Sequence, residues 1–219
     1  MMARALWGVL FGGLIAVQVF AFEEGTDYTK LATPQPTESE DKIEVLEVFL
    51  YTCPHCFHLE PTMAKWLASK PADVEFKRMP AVFSPRDEPY ARAHYAAELM
   101  GKGEQFHAAL FRALHVENRN IQDEDALVAF AEEQGIDGDK FRKTYDSFFV
   151  DMEVRRNEEM VKRYGVDAVP TLIVDGKYRT SPSQTGSQEQ MMKVVDYLIG
   201  IESRQAPAEQ AQPAGAKDS

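Results

Sequence analysis

The chain is poor in cysteine: Cys53 and Cys56 are the only two among its 219 residues. Exported proteins that are stabilised by disulfides usually carry several of them. A bond between these two cysteines would close a loop too short to restrict the unfolded chain much, because this stabilisation grows with loop length. The shortage of cysteine argues against a disulfide-stapled scaffold and favours two thiols that react.

Positive charge is also scarce, since 24 lysines and arginines stand against 35 aspartates and glutamates, giving a net charge of −11. A nucleic-acid partner would require a basic face. We therefore expect no nucleic-acid partner.

Long apolar runs are absent except at the beginning. Residues 6–20 carry no charge, Arg4 supplies a basic start, and Val19-Phe20-Ala21 has the form of a cleavage site. A membrane span needs about 20 apolar residues, and this run is shorter. The pattern predicts a signal peptide over residues 1–21, cleaved after Ala21, and a soluble mature chain. An uncleaved membrane anchor is the alternative.

The remaining sequence alternates between strand and helix patterns. In order, it predicts a strand at 43–51, a helix through Leu67, a strand at 74–79, helices across 84–164, a strand at 171–174, a hairpin at Asp175-Gly176 and a last amphipathic helix. This order predicts an α/β fold with an inserted helical subdomain. The corresponding segments are 22–83, 84–164 and 165–201, followed by a disordered tail at 202–219.

The motif Cys53-Pro54-His55-Cys56 falls where the first strand gives way to a helix. Pro54 suits the first helical turn. Cys53 then lies at the cap, where free backbone N–H groups and the helix dipole lower the pKa of its thiol. Cys56 follows on the same side of the helix and can close a disulfide with Cys53. Cys53 is therefore predicted to be the attacked sulfur.

His55 lies between the two cysteines and can place positive charge beside the Cys53 thiolate, which makes the disulfide a stronger oxidant. The alternative is an exposed histidine with no role. A c-type haem site is excluded because Phe57, not histidine, follows the second cysteine. Zinc is disfavoured because its four candidate ligands, Cys53, His55, Cys56 and His58, lie in one short turn. We expect no metal and no cofactor beyond the redox-active disulfide.

Three stretches together resemble the DsbA family, bacterial periplasmic dithiol oxidases of the thioredoxin superfamily. They are residues 45–49 leading into the cysteine motif, residues 165–171, and Asp175-Gly176-Lys177-Tyr178. The resemblance covers most of the chain and implies a thioredoxin fold with an inserted all-helical subdomain. It also implies a low-pKa, strongly oxidising pair, for which this family is the standard example.

The resemblance further implies a periplasmic protein that oxidises unfolded exported proteins with free cysteines. A DsbB-like quinone reductase of the inner membrane would reoxidise it, and we expect a monomer. Val169-Pro170 matches the family's cis-proline loop, which faces the active disulfide and binds substrate, whereas an ordinary trans proline is the alternative. Glu47 matches a buried acid beneath the site, whereas a solvated strand-edge residue is the alternative. The chain departs from well-known members in lacking a second disulfide in the insertion.

Two other functions stay open at this point. One is a disulfide isomerase or reductase, although no additional dimerisation domain is visible. The other is a substrate-binding chaperone with a non-essential redox pair, for which loss of Cys53 would leave function intact.

Overall fold

The computed structural model describes residues 22–39 and 41–210, with side chains of the last helix described through residue 204. The predicted signal peptide and residues 211–219 lie outside this part of the chain. Among the described residues, no helix is long and apolar enough to cross a membrane.

Strands and helices follow one another in the predicted order. The elements are β1 (Thr29–Lys30), β2 (Ile43–Phe49), α1 (Pro54–Leu67), β3 (Val74–Pro80), α2 (Glu88–Leu99), α3 (Gly103–His115), α4 (Glu124–Glu133), α5 (Gly138–Tyr145), α6 (Phe148–Arg163), β4 (Thr171–Val174), β5 (Tyr178–Thr180), α7 (Pro182–Thr185) and α8 (Gln188–Gln210).

The strands form one mixed sheet in the order β1-β5-β4-β2-β3. β2 and β3 are parallel and joined by α1, as the strand–helix–strand pattern predicted. β4 and β5 form the predicted hairpin, and β4 lies inside the sheet, antiparallel to β2. The four residues of β4 are all buried, which explains its internal position. β1 was not predicted, because two polar residues carry no strand pattern.

The hairpin turn requires its glycine. Asp175 and Gly176 have φ values of 51° and 59°, the left-handed conformation of a two-residue hairpin turn. A Cβ on Gly176 would lie 2.1 Å from the backbone oxygen of Gln35. The segment before β2 therefore packs directly on this turn.

Helices cover both faces of the sheet. On one face, Val45 and Leu172 pack with Met63 of α1 and with Val194 and Leu198 of α8. The other face is covered by α6, in a cluster made by these residues: Leu46, Val48, Ile173, Met160, Val161 and Tyr164. Because β2 is buried along all seven residues, it is the centre of the molecule.

The helices α2–α6 span residues 88–163, within the predicted insertion, and build a core around Phe106, Leu110 and Phe130. This core is continuous with Phe49 at the end of β2 and with Cys56 in α1. Asp123 caps α4, accepting a hydrogen bond from the backbone N–H of Ala126 at 2.9 Å. The insertion therefore packs against the segment that carries the cysteines.

The prediction of a disordered tail from residue 202 is wrong at its start, because α8 continues to Gln210. Glu202 is only 4% exposed, and Lys177 donates a hydrogen bond to its Oε2 at 2.6 Å. The composition of the tail is polar, but this one carboxylate is packed against the hairpin.

We expect the contact between Lys177 and Glu202 to make the C-terminal segment up to Glu202 necessary for full stability. A chain that ends at Ile201 should lose about 1–2 kcal/mol of unfolding free energy relative to one that ends at Arg204, because Lys177 loses a buried partner. Urea unfolding of the two chains measures the difference. Equal midpoints would show that Glu202 contributes nothing.

Candidate functional site

The two cysteines lie where β2 passes into α1. β2 ends at Phe49 and α1 begins at Pro54, so Cys53 takes the N-cap position. The backbone N–H of Cys53 donates to the carbonyl of Leu50 at 3.1 Å, which turns the chain from strand to helix. Both cysteines are free thiols in this structure; Cys53 is half-buried and Cys56 is fully buried. Only Cys53 can be reached from outside.

The surroundings move the two thiols in opposite directions. The pKa of Cys53 is lowered to about 5, first by a hydrogen bond from the Cys56 side chain. The backbone N–H groups of Cys56 and His55 and the charge of His55 add to this lowering, while burial opposes it. The pKa of Cys56 is raised, first by the same hydrogen bond to Cys53 and then by burial. At neutral pH, Cys53 is the thiolate and Cys56 keeps its proton.

His55 is exposed beside the reactive sulfur. Its backbone is held from a second element, because the side-chain amide of Gln188 at the start of α8 donates to the His55 carbonyl at 2.9 Å. Gln188 was not singled out from the sequence, where nothing relates it to a motif 133 residues away. The position of His55 supports the electrostatic interpretation.

The loop before β4 faces the cysteines. The Val169–Pro170 peptide bond is cis, as the resemblance implied. The carbonyl oxygen of Val169 lies 3.6 Å from Cys53 Sγ. The loop is tied to the sheet by Thr171, whose hydroxyl donates to the Ala168 carbonyl at 2.8 Å. A peptide bound along this loop would lie against the reactive sulfur.

Glu47 is fully buried in β2, so its interpretation as a solvated strand-edge residue is wrong. Burial is the largest cause that raises its pKa, to about 8; the charge of Glu60 adds to this, and Arg78 opposes it. The Arg78 Nε lies 3.4 Å from a Glu47 oxygen, at ion-pair distance. The charge of Glu47 also contributes to the raised pKa of Cys56. A buried acid that titrates near neutral pH therefore acts on the buried sulfur.

Sequence reasoning missed Arg78 and Glu60. Arg78 also approaches Glu60 at 3.5 Å and Glu104 at 2.6 Å, so it is the central cation of this cluster. In the sequence, Arg78 belongs to a predicted strand in which apolar and charged residues alternate. This pattern does not distinguish Arg78 from the other charged residues of the strand. The role of Arg78 follows from its register, directly opposite Glu47 in the parallel pair β2–β3, which the sequence alone does not show.

Sequence reasoning also missed a group around Tyr51, two residues before Cys53. Its hydroxyl lies 2.9 Å from Nδ1 of His94 and 3.2 Å from Nδ1 of His107. Both histidines come from the inserted helices, and both are buried. No local pattern places them beside the motif.

In the described part of the chain, no group of three or more histidine, cysteine or acidic side chains is placed to hold a metal ion. The four candidate ligands of the motif are divided between surface and interior, since His55 and His58 are exposed while Cys56 is buried.

Comparison with known proteins places this geometry in a family. A model described as a DSBA-like thioredoxin domain matches residues 78–195, from β3 to α8. The chain is 36% identical over 190 residues to the thiol:disulfide interchange protein DsbA of Pseudomonas aeruginosa, covering 87% of this chain and 89% of that protein. It is 35% identical over 206 residues to the protein of the same name from Pseudomonas syringae pv. tomato, covering 94% and 96%.

Solved structures agree with these sequence relatives. The crystal structure of Pseudomonas aeruginosa DsbA has a TM-score of 0.81 at 35% identity and covers 85% of this chain and 97% of that one. The oxidoreductase DsbA of Xylella fastidiosa has a TM-score of 0.76 at 31% identity, with 81% and 96% covered. The family model begins after the cysteine pair, but an alignment over 87% of this chain must include it.

The raised pKa of Glu47 predicts a particular dependence of stability on pH. Between its ordinary value of 4.5 and about 8, the folded reduced protein keeps a proton that the unfolded chain has released. Stability is therefore highest below pH 4.5 on this account and falls as the pH rises towards 8. Glu47→Gln should flatten this fall, by at most about 1.4 kcal/mol per pH unit.

Urea unfolding of the reduced protein from pH 5 to pH 8 measures the effect. Glu75→Gln, on the neighbouring strand and half-exposed, is the matched control and should keep the wild-type slope. If Glu47→Gln shows the same pH dependence as this control, Glu47 is not the group that titrates.

Proposed function

The chain belongs to the DsbA family and is a thiol–disulfide oxidoreductase, and we propose that it works as an oxidase, donating a Cys53–Cys56 disulfide to unfolded exported proteins with free cysteines. The observation that carries this proposal is the opposite displacement of the two thiol pKa values, with that of Cys53 lowered to about 5. A stabilised thiolate favours the reduced protein and therefore makes the disulfide a strong oxidant.

In the first step, a substrate thiolate attacks Sγ of Cys53 in the oxidised enzyme. The bond between Cys53 and Cys56 breaks, and Cys56 leaves with the electron pair. Its raised pKa means that it takes up a proton as it leaves. Glu47 keeps its proton near neutral pH, and its charge acts on Cys56. We therefore assign Glu47 the role of proton donor. The substrate is then joined to Cys53 in a mixed disulfide.

In the second step, another thiolate of the substrate attacks the substrate sulfur of the mixed disulfide. Cys53 departs as a thiolate, which its low pKa favours. The substrate has lost two electrons and gained a disulfide, and the enzyme holds a dithiol. The Val169–Pro170 loop, next to Cys53 Sγ, is suited to hold the substrate backbone during both steps.

The cycle needs an acceptor for these two electrons. We assign this role to a DsbB-like quinone reductase of the inner membrane, by analogy with the family. The periplasm is then the site of action, and the predicted cleavage after Ala21 is the step that releases the enzyme there as a monomer.

The reduction potential against glutathione tests the direction of electron flow. We expect a potential well above that of thioredoxin, because Cys53 is stabilised as a thiolate. A value near that of thioredoxin would favour a reductase or isomerase. The chaperone alternative is tested by Cys53→Ala, which should abolish disulfide transfer to a reduced two-cysteine peptide. If this variant still protects unfolded proteins fully, and if this protection is the only effect of the protein that can be measured, the chaperone alternative is favoured.

His55→Ala should weaken the oxidant. The variant keeps the backbone N–H groups at Cys53 but removes the nearby charge, so the glutathione equilibrium should shift about threefold to tenfold toward the disulfide form. His58→Ala, an exposed histidine one turn away in α1, is the matched control and should leave the equilibrium unchanged. Equal effects of the two substitutions would remove His55 from the mechanism.

A further inference from the structure

Tyr51 is held at both ends by histidines of the inserted subdomain. Its hydroxyl lies between Nδ1 of His94 in α2 and Nδ1 of His107 in α3, at 2.9 and 3.2 Å. Its backbone carbonyl accepts a hydrogen bond from Nε2 of His115 at 2.7 Å, and the ring of His115 stacks on Phe57 with centroids 5.0 Å apart. Three histidines therefore converge on one residue of the active-site loop.

The backbone beside Tyr51 contacts both sulfur-bearing residues. The carbonyl of Leu50 accepts from the N–H of Cys53, and a backbone hydrogen bond from Leu50 also reaches Cys56. Tyr51 belongs to the same buried cluster as Cys56. Whatever holds Tyr51 in place therefore also fixes the positions of the two cysteines.

The far nitrogens of the two buried rings face carboxylates. The His94 Nε2 lies 3.3 Å from Glu98, and the His107 Nε2 lies 3.2 Å from Glu60. His94 and His107 are 2% and 1% exposed, so water does not replace these partners. Each Nε2 is therefore best occupied by an N–H, since a lone pair there would face a negative oxygen.

Counting donors shows that two neutral rings cannot satisfy this arrangement. A neutral imidazole with its proton on Nε2 presents a lone pair at Nδ1. Both Nδ1 atoms would then require a proton from Tyr51, whose hydroxyl has only one to give. One Nδ1–oxygen contact would be lone pair against lone pair, in a buried site where an unpaired polar contact is costly. One further proton on that Nδ1 turns it into a donor, so that each of the two Nδ1–oxygen contacts pairs a donor with an acceptor.

We propose that Tyr51 is a positioning residue for the cysteine pair. The Tyr51 hydroxyl makes the His94–Tyr51–His107 group hold one proton more than two neutral imidazoles would. The group therefore keeps a positive charge behind the active-site loop. Such a charge favours the Cys53 thiolate. The inference rests on Cys53 and Cys56 being the reactive pair and does not depend on the direction in which electrons flow.

The electrostatic surroundings of the two rings differ. The pKa of His107 is lowered to about 4, first by burial, and the positive charge of Arg78 on β3 contributes to the lowering. Burial is the largest influence on the pKa of Glu98 and raises it, but the contacts with His94, together with the charges of Arg78 and His107, lower it overall. The Glu98 carboxylate therefore faces the group with a negative charge that favours an added proton.

The other charges that face this group come from every element packed around it. They are Glu60 of α1, Arg78 of β3, Glu98 of α2 and Glu104 of α3, and each of them also acts on Tyr51. Three are negative and one is positive, so the group lies in a field that favours an added proton.

Tyr51→Phe tests the proposal because it removes the hydroxyl and keeps the ring. In protein labelled with nitrogen-15 histidine, the ring-nitrogen chemical shifts should show one buried imidazolium in the wild type at pH 7 and none in the variant. The midpoint of the Cys53 thiolate absorbance titration should rise by about 0.5 pH unit, equivalent to a threefold change in the thiolate equilibrium.

Tyr95→Phe is the matched control. It removes another tyrosine hydroxyl that is bound in the interior, to Asn157 Oδ1 at 2.9 Å, and it should change neither the imidazolium signal nor the thiolate titration. A wild type without a buried imidazolium would overturn the proposal. So would a Tyr51→Phe variant that titrates like Tyr95→Phe. A low reduction potential with the imidazolium present would contradict the oxidase direction alone.

Glu98→Gln provides a second test that leaves the core untouched, because the Glu98 side chain is 45% exposed. Without the carboxylate, the His94–Tyr51–His107 group loses a negative charge that stabilises its added proton, so the imidazolium signal at pH 7 should weaken while Tyr51 stays in place. An unchanged signal in this variant would contradict the proposal that the carboxylates around the group stabilise its added proton.

Discussion

The site depends on one electrostatic interaction, between the sulfur of Cys53 and the donors at the first turn of α1. The backbone N–H groups of His55 and Cys56 and the thiol of Cys56 all lower the pKa of this thiol. A helix start can stabilise an anion only if the anion is held directly against it. The buried strand β2 provides this placement, because its last residue fixes where α1 begins. The fold therefore sets the acidity of the thiol through the position of a strand end.

The same arrangement requires an interior that accepts charge. Cys56 must take a proton when the disulfide opens, and its surroundings are buried. Glu47, Glu60 and Arg78 lie behind it, although a buried ion cluster is a weak source of stability compared with apolar packing. An apolar core in their place would leave the departing sulfur without a group that exchanges protons near neutral pH. In the proposed mechanism, this cluster is part of the chemistry.

The sequence was informative where the deciding interactions are local. The strand at 43–49, the cysteine motif at the helix start, the Asp123 cap and the Asp175-Gly176 turn each depend on neighbouring residues. Arg78 could not be found in this way, because its role follows from the register of β3 against β2. The same is true of Glu202, a polar residue in a polar tail that is buried only because Lys177 reaches it from the hairpin.

The histidines around Tyr51 show why the insertion and the thiol chemistry form one unit. His94, His107 and His115 are far from Cys53 in sequence, yet they contact the loop that precedes it. The apolar core of the insertion also includes Phe49 and Cys56, so no boundary of separate packing divides the two parts. Because the chain has no second disulfide, this docking is maintained by packing, hydrogen bonds and ion pairs such as Arg78–Glu104. Because Cys56 belongs to that core, the reactive pair and the inserted helices share one set of packing contacts.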